Sequence, residues 1–370
     1  MRLVVSTCGT SLLTNNADPD TRSILNKYTN YPCEGIPSCD MNVIKKVVEK
    51  INQQMNQIQD LKQISRMSAE LNRIIRIYNN QLPDINDTRN SQDIHFLIHS
   101  DTYLGQKAAE IVCNWLRTKF NNVNLYSIDK LKTDKIENFR TATFKLVEFC
   151  YETIRKYKER GYYVIFNLTG GFKSVQGIMQ TLGMFCADEC VYIFETGDEL
   201  LRIPKLPVKL EVEETVRQYL AQFRKMSLDK SLSKSECVGI PDIYLFEVDD
   251  RVILSEWGEL AWNEVKDKIY SEKLLDSPHE RIVFSRQFID SVNKLPSDRI
   301  KIINERVDQV FRFVENGENP KSLNFHRVNV RVGRSTHEFY AWSDRDAKRI
   351  YCHYEGDDKI VIDELGEHLR

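Results

Sequence analysis

Gly170, Gly171 and Lys173 stand at one turn of this chain, between the apolar run Tyr162–Phe166 and the helix-like stretch Val175–Gly183. A strand, a glycine-rich turn and a helix start, in that order, make an anion site. The glycines let a phosphate approach the backbone, and the amide N–H groups of the turn and of the helix start point toward it. The spacing is neither GxxxxGK[ST] nor GxGxxG, so a phosphate would be held here without a Walker loop or a dinucleotide turn. Two other segments share this logic. Leu3–Val5 runs into the hydroxyl-rich turn Ser6–Ser11, and Ile94–Ile98 runs into His99–Thr102 ahead of a helical run from Gly105 to Phe120. Any one of these loops also reads as an ordinary strand-to-helix turn with a Ser or Asp N-cap. The three together predict an open, parallel-dominated sheet of Rossmann-like α/β type, with a ligand at the carboxyl ends of its strands.

A second concentration of chemistry lies near the C-terminus. From Lys321 to His353 there are seven cations (Lys321, Arg327, Arg331, Arg334, Arg345, Lys348, Arg349) against three acids (Glu338, Asp344, Asp346). Phe339, Tyr340, Trp342 and Tyr351 are interleaved with them, which suits a single strand of RNA held by charge and by base stacking. His326, His337 and His353 sit on strand-like stretches, from which a ring can enter a groove. The competing reading of an arginine such as Arg349 is a solvated strand residue balanced by Asp344 or Asp346.

The elements that must position these groups follow from periodicity. Ala17–Cys39 is polar, carries Pro19, Pro32 and Pro37, and predicts mostly loop. Met41–Tyr78 and Lys135–Arg160 carry apolar residues at three- and four-residue spacing and predict long amphipathic helices. Val191–Phe194 predicts a strand. Val212–Lys225 and Leu260–Leu275 predict helices around a hairpin, Ile243–Val248 and Arg251–Leu254, whose turn is Asp249-Asp250. Helix plus hairpin is the order of a winged helix, but Leu228–Cys237, where a recognition helix would lie, is short. A connector is therefore expected in preference to a DNA reader. Arg281–Phe284 (strand), Phe288–Lys294 and Ser297–Glu315 (helices) and four alternating segments, His326–Val332, Glu338–Trp342, Ile350–Tyr354 and Ile360–Ile362, predict two helices on an antiparallel meander. Asn316-Gly317 is a helix end and Gly356-Asp357-Asp358 a hairpin turn. Three parts are expected: 1–205, 206–278 and 279–370.

Composition narrows the function classes. A chain of 370 residues exceeds one core. Its net charge of −2 supplies no global field toward nucleic acid, so any RNA contact must be a local patch. No apolar stretch approaches the ~20 residues that span a bilayer, and the N-terminus opens a strand rather than a signal peptide. The nine cysteines lack metal-ligand spacing. A reduced, cytoplasmic protein with no metal site is expected.

At this point the two ends become recognisable. MRLVVSTCGTSLLTN, IHSDTYLGQKAAEIV and NLTGGFKS resemble the CARF domain of CRISPR-associated proteins, over roughly the first 205 residues. The resemblance implies a homodimer that binds a cyclic oligoadenylate, most simply cyclic tetra-adenylate, across its two-fold axis. Thr10, Ser11, Ser100, Asp101, Gly170, Gly171 and Lys173 would line that site, and Ser11 and Lys173 resemble residues with which some CARF domains slowly degrade their own ligand. From about residue 279 to the end, Asn319–Leu323, Glu338–Ser343, Lys348–Tyr351 and Ile362–His368 resemble the RelE/ParE superfamily of toxins. RelE and YoeB, the members most similar, are ribosome-dependent mRNA interferases that need no metal and use 2′-hydroxyl attack on the adjacent phosphate. By this likeness Arg349 would stabilise the transition state and His368 would be a general acid. Arg345 would be a second phosphate contact, Lys321 would replace a glutamate base, and His326 is an alternative acid or base. The tyrosine that follows the terminal histidine in that family is missing, since the chain ends Leu369-Arg370. Together these likenesses imply a second-messenger-gated endoribonuclease. The other reading is a cyclic-oligoadenylate-responsive transcriptional regulator with residues 206–278 on DNA. Arg89 and His95 fit the loose RxxxxxH spacing of HEPN ribonucleases, but His95 falls in a strand, where that chemistry does not operate.

Overall fold

In the computed structural model the chain forms two compact units, Met1–Lys209 and Leu210–Arg370. The structure describes all residues except 84, 86–91, 132–135, 169, 171–172, 194–198, 208–209, 345, 357 and 368–370, and except the side chains of 136–137, 173–174 and 329–332. The segment 206–278 falls almost wholly within the second unit, with the C-terminal sheet.

The first unit is α/β. Its strands are β1 (Arg2–Thr7), β2 (Ile94–Ser100), β3 (Asn122–Ile128), β4 (Tyr163–Asn167), β5 (Glu189–Ile193) and β6 (Leu200–Pro204), in the order β3-β2-β1-β4-β5-β6. All neighbours pair parallel except β5 and β6. The chain leaves β1 to build β2 and β3 on one side and returns to place β4 on the other. Loops on either side of that reversal diverge and open a cleft at the carboxyl ends of β1 and β4. Leu3, Val4, Val5, Val164, Ile165 and Phe166 are all buried, as expected of strands covered on both faces.

Several elements differ from the sequence reading. Residues expected as loop contain a helix, Pro19–Lys27, because Asp18 caps it by accepting from Thr21 N–H and proline sits in its first turn. The long helix expected over Met41–Tyr78 is three helices, Ser38–Gln57, Leu61–Met67 and Ala69–Ile77. The breaks fall where Asp60 and Ser68 cap the next segment through Lys62 N–H and Leu71 N–H. Lys135–Arg160 is likewise interrupted, by a π-helical turn at Cys150–Ile154 between Ile136–Phe149 and Arg155–Glu159. His95 lies in β2 and is fully buried, so the HEPN spacing has no structural counterpart.

The second unit holds a three-stranded sheet, β7 (Leu232–Ser233), β8 (Leu245–Val248) and β9 (Arg251–Leu254), in the order β7-β9-β8. The helices Glu213–Gln218, Leu220–Ser227 and Glu256–Glu272 lie around it. Residues Lys234–Cys237 form only a 3-10 turn, so no α-helix occupies the recognition position. The larger sheet is β10 (Ile282–Phe284), β11 (His326–Val332), β12 (Ser335–Trp342), β13 (Lys348–Glu355) and β14 (Lys359–Glu367), in the order β10-β14-β13-β12-β11. The meander is antiparallel, and β10 adds a parallel edge strand. Phe339, Ala341, Ile350, Cys352, Ile360 and Ile362 share one core with Ile303, Val307 and Phe311 of the helix Ser297–Asn316. Gly317 ends that helix at φ 74°, in the left-handed region.

A buried ion pair joins the two parts of this unit. Arg224 Nη2 lies 2.7 Å from Asp308 Oδ1, and the two side chains are 3% and 9% exposed. The Tyr270 hydroxyl donates to the other Asp308 oxygen, and Arg224 Nη1 donates to the Asp276 carbonyl at 2.7 Å. Asn304 accepts from Leu275 N–H and donates to the carbonyls of Tyr270 and Lys273. Breaking one partner of such a pair leaves a buried charge uncompensated, so residues 210–278 are fastened to the C-terminal helix as one folded body.

Candidate functional site

The three loops at the carboxyl edge of the first sheet meet. Thr10, Ser11, Ser100 and Gly170 line one cavity of about 250 Å³, together with Gly9 and Val175 among others. Each wall has a local cause. β1 ends at Thr7, whose hydroxyl donates to the Gly170 carbonyl at 2.6 Å, so the first and third loops touch directly. Beyond β2, the hydroxyls of Ser100 and Thr102 lie 2.7 Å apart, and Thr102 accepts from Gly105 N–H at 3.2 Å to start the helix Tyr103–Leu116. Residue 105 must be glycine for this contact, because a Cβ there would stand 2.3 Å from Ser100 Oγ. Thr10 precedes the helix Ser11–Asn15 without a side-chain cap bond. Ser11 Oγ is buried and has no hydrogen-bond partner among the described residues. A buried hydroxyl without a partner is uncommon, and this one belongs to a residue that lines the cavity.

One residue that the sequence reading missed organises this floor. Glu70, 1% exposed, accepts from Gly9 N–H at 3.0 Å and from the Ser68 hydroxyl at 2.8 Å. Its backbone carbonyl accepts from Asn167 Nδ2 at 3.2 Å, and Asn167 also donates to Ser6 Oγ at 3.0 Å. A Cβ on Gly170 would lie 2.1 Å from Glu70 Oε1 and 2.1 Å from the Thr7 carbonyl. The first and third loops are therefore clamped on a carboxylate, and Gly9 N–H is already occupied. Asp101 stands apart from the cavity lining; its Oδ2 accepts from Lys130 N–H at 3.1 Å. Gly171 lies outside the described residues. Lys173 opens the helix Lys173–Cys186, and its side chain lies outside them as well.

In the second unit, Arg349 and His326 come to one carboxylate on the face of the sheet opposite its core. Strand register sets this: His326 pairs with Glu338 and Tyr340 with Arg349, so Glu338, Tyr340 and Arg349 project on one side. His326 Nε2 lies 3.2 Å and Arg349 Nε 4.0 Å from Glu338 Oε1. The Arg349 guanidinium stacks over the Tyr340 ring, 3.9 Å from its centroid. The partner of Arg349 is thus Glu338, whereas Asp344 pairs with Arg299 at 2.6 Å and Asp346 with Lys348 at 3.7 Å. Lys321 is exposed in the turn before β11 and makes no hydrogen bond or ion pair among the described residues. Arg345 and His368 lie outside the described residues. At the far end of the same sheet His353 Nδ1 contacts Asp363 Oδ2 at 2.8 Å, and Arg334 and Ser335 also donate to that carboxylate. Burial pushes His337 below the usual imidazole range, with the neighbouring Arg327 acting the same way.

Comparison with known proteins bears on the first unit. A family model described as CRISPR-associated protein (Cas_APE2256) matches residues 65–206. Over that stretch the chain is similar to a CRISPR-associated protein. The match includes the second and third loops and Glu70, and it supports a CRISPR-related role. No curated protein matches the chain. Among the described residues no helix is long and apolar enough to cross a membrane.

Proposed function

We propose that this CRISPR-associated chain is an mRNA endoribonuclease switched on by a cyclic oligoadenylate. Residues 1–205 act as a CARF sensor that binds the ring, most simply cyclic tetra-adenylate, across a homodimer. Residues 279–370 act as a RelE-like domain that cuts mRNA, with the ribosome as partner, by 2′-hydroxyl attack on the adjacent phosphate. The observation that carries the sensor reading is the convergence of Thr10, Ser11, Ser100 and Gly170 on one cavity, with the Ser11 hydroxyl buried and unpaired. Hydroxyls and backbone amides are what a ring of phosphates and riboses requires. The same loops would open the bound ring slowly and end the signal. The nuclease reading rests on the likeness of the C-terminal segment and on the Arg349–Glu338–His326 group, which places a cation beside acid–base groups. Regulation would act by differential affinity of the ring for two states of the dimer.

A DNA-binding role for residues 206–278 has less support. The hairpin β8–β9 turns at Asp249 and Asp250, both at positive φ, so its tip presents two carboxylates where a wing would need to meet phosphate.

The experiment is cleavage of a reporter mRNA in a translation reaction, with and without cyclic tetra-adenylate, by wild type, Arg349→Ala and Lys173→Ala. Ligand-dependent cuts that vanish in both variants are expected. Absence of cuts under any ligand would refute the nuclease reading, and full ligand response by Lys173→Ala would refute the assignment of the third loop.

A further inference from the structure

Glu338 is more than a counter-charge to Arg349, because it also faces His326. We infer that Glu338 is the base that takes the proton from the attacking 2′-hydroxyl, with His326 as the partner through which that proton leaves. This inference rests on the ribonuclease reading of residues 279–370.

His326 Nδ1 lies 2.6 Å from the Asn324 carbonyl, which only accepts, so Nδ1 carries a hydrogen. The other nitrogen, Nε2, faces Glu338 Oε1 at 3.2 Å. A neutral ring with its hydrogen on Nδ1 would set two lone pairs against each other at that distance. One proton between Nε2 and Oε1 removes the conflict, and the pair is therefore a proton-holding couple. Oε1 is also the oxygen near Arg349 Nε. Oε2 has no hydrogen-bond partner among the described residues and is the atom left to accept. The carboxylate is largely shielded, with its side chain 10% exposed, whereas the His326 side chain is 41% exposed and gives the proton a way to water. A second observation places a cation beside the same carboxylate. Arg349 is 7% exposed, and its Nε is buried without a hydrogen-bond partner. That nitrogen lies 4.0 Å from Glu338 Oε1, and the guanidinium lies over the Tyr340 ring, so a positive charge is fixed beside the couple.

The step balances. The 2′-O–H bond breaks and its proton goes to Glu338 Oε2, while the 2′-oxygen forms a bond to phosphorus. The P–O5′ bond breaks, and O5′ takes a proton from water. The products are a 2′,3′-cyclic phosphate and a 5′-hydroxyl. Arg349 meets the charge that grows on the non-bridging oxygens. Glu338 is restored when His326 Nε2 releases its proton to solvent and then takes up the one on Glu338, which returns the pair to a carboxylate and an imidazolium.

The test is single-turnover cleavage of a ribosome-bound reporter mRNA by the ligand-activated full chain. Glu338→Gln keeps an amide oxygen opposite His326 Nε2 but cannot take up the proton. It is expected to cut on the order of 10²–10³-fold more slowly, within the range for loss of a general base, with unchanged affinity for the ribosome. Cleavage by Glu338→Gln at the wild-type rate overturns the assignment and leaves the ribonuclease reading standing. If the variant fails to fold, the wild-type pH profile decides. A rate that falls about tenfold per pH unit on the acid side supports a carboxylate base, and a flat profile overturns it. Absence of cleavage by wild type with ligand bound refutes the ribonuclease reading, and this assignment with it.

Discussion

Gly170→Ala is the sharpest probe of the sensor cavity, because the structure says what the added methyl would meet. Its carbon would stand 2.1 Å from the Thr7 carbonyl oxygen and 2.1 Å from Glu70 Oε1, with Glu70 Cδ at 2.9 Å. Ordinary carbon–oxygen contact is about 3.3 Å, so a displacement of roughly 1.2 Å is demanded. Neither neighbour can give it. Thr7 ends a strand paired on both sides, and Glu70 is fixed by Gly9 N–H and Ser68. The third loop must therefore move, losing the bond from the Thr7 hydroxyl. Overpacking of this kind costs about 1–3 kcal/mol and the lost bond about 1 kcal/mol, a total near 3 kcal/mol. For a unit of this size that lowers its melting temperature by roughly 6–12 °C. A loop displaced by an ångström also forfeits one or two charge-assisted bonds to a phosphate, about 1.5–3 kcal/mol each, so affinity for cyclic tetra-adenylate should fall at least ~10-fold. Gly177→Ala is the control. It lies in the helix Lys173–Cys186 with nothing within 4 Å of the added carbon, and alanine should stabilise that helix by about 1 kcal/mol. Scanning calorimetry and calorimetric titration read both quantities. Wild-type affinity and melting in Gly170→Ala would refute the clamped geometry of the first and third loops and the ligand site built on it.

Ser11→Ala should weaken ligand binding by about 5–10-fold without lowering the melting temperature, because the hydroxyl makes no bond to the described protein; a stability loss comparable to the binding loss would show that it has a structural role instead. Burial lowers the pKa of His95 from 6.5 to about 3. For a base depressed on folding, the stabilisation is full above the unfolded value and is lost as pH falls toward the folded one, since only the unfolded chain takes up the proton. Stability should therefore drop by about 1.4 kcal/mol per unit below pH 6.5 from this group alone, and denaturant titration of His95→Gln should show a correspondingly shallower slope between pH 6.5 and 4.

What was legible in the chain was whatever depends on near neighbours. β1, β2 and β4 announce themselves as apolar runs ending in Ser, Thr or Gly. The sheet order brings those three loops together; Thr10, Ser11, Ser100 and Gly170, nominated by the resemblance, line the cavity, whereas Asp101, nominated with them, does not. The C-terminal meander was legible for the same reason, because alternation with period two is local. Glu70 was not. Beside Ser68 and Ala69 it reads as an acid in the first turn of a helix, favourable there for the dipole. Its task appears only when Gly9, 61 positions away, and Asn167, 97 positions away, are packed against it. Arg349 shows the same limit from the other side. Proximity in sequence nominates Asp344 or Asp346 as its partner, yet strand pairing decides, and the irregularity in register between Tyr340 and Trp342 lies on the path from Glu338 to those acids. The aspartates go instead to Arg299 and Lys348, and Glu338 faces His326 across the strand pair. A proton-holding couple beside a buried guanidinium is a product of register. Shifting β11 by one residue against β12 would turn His326 to the core face and dissolve it, whereas the cation count along the sequence would stay the same.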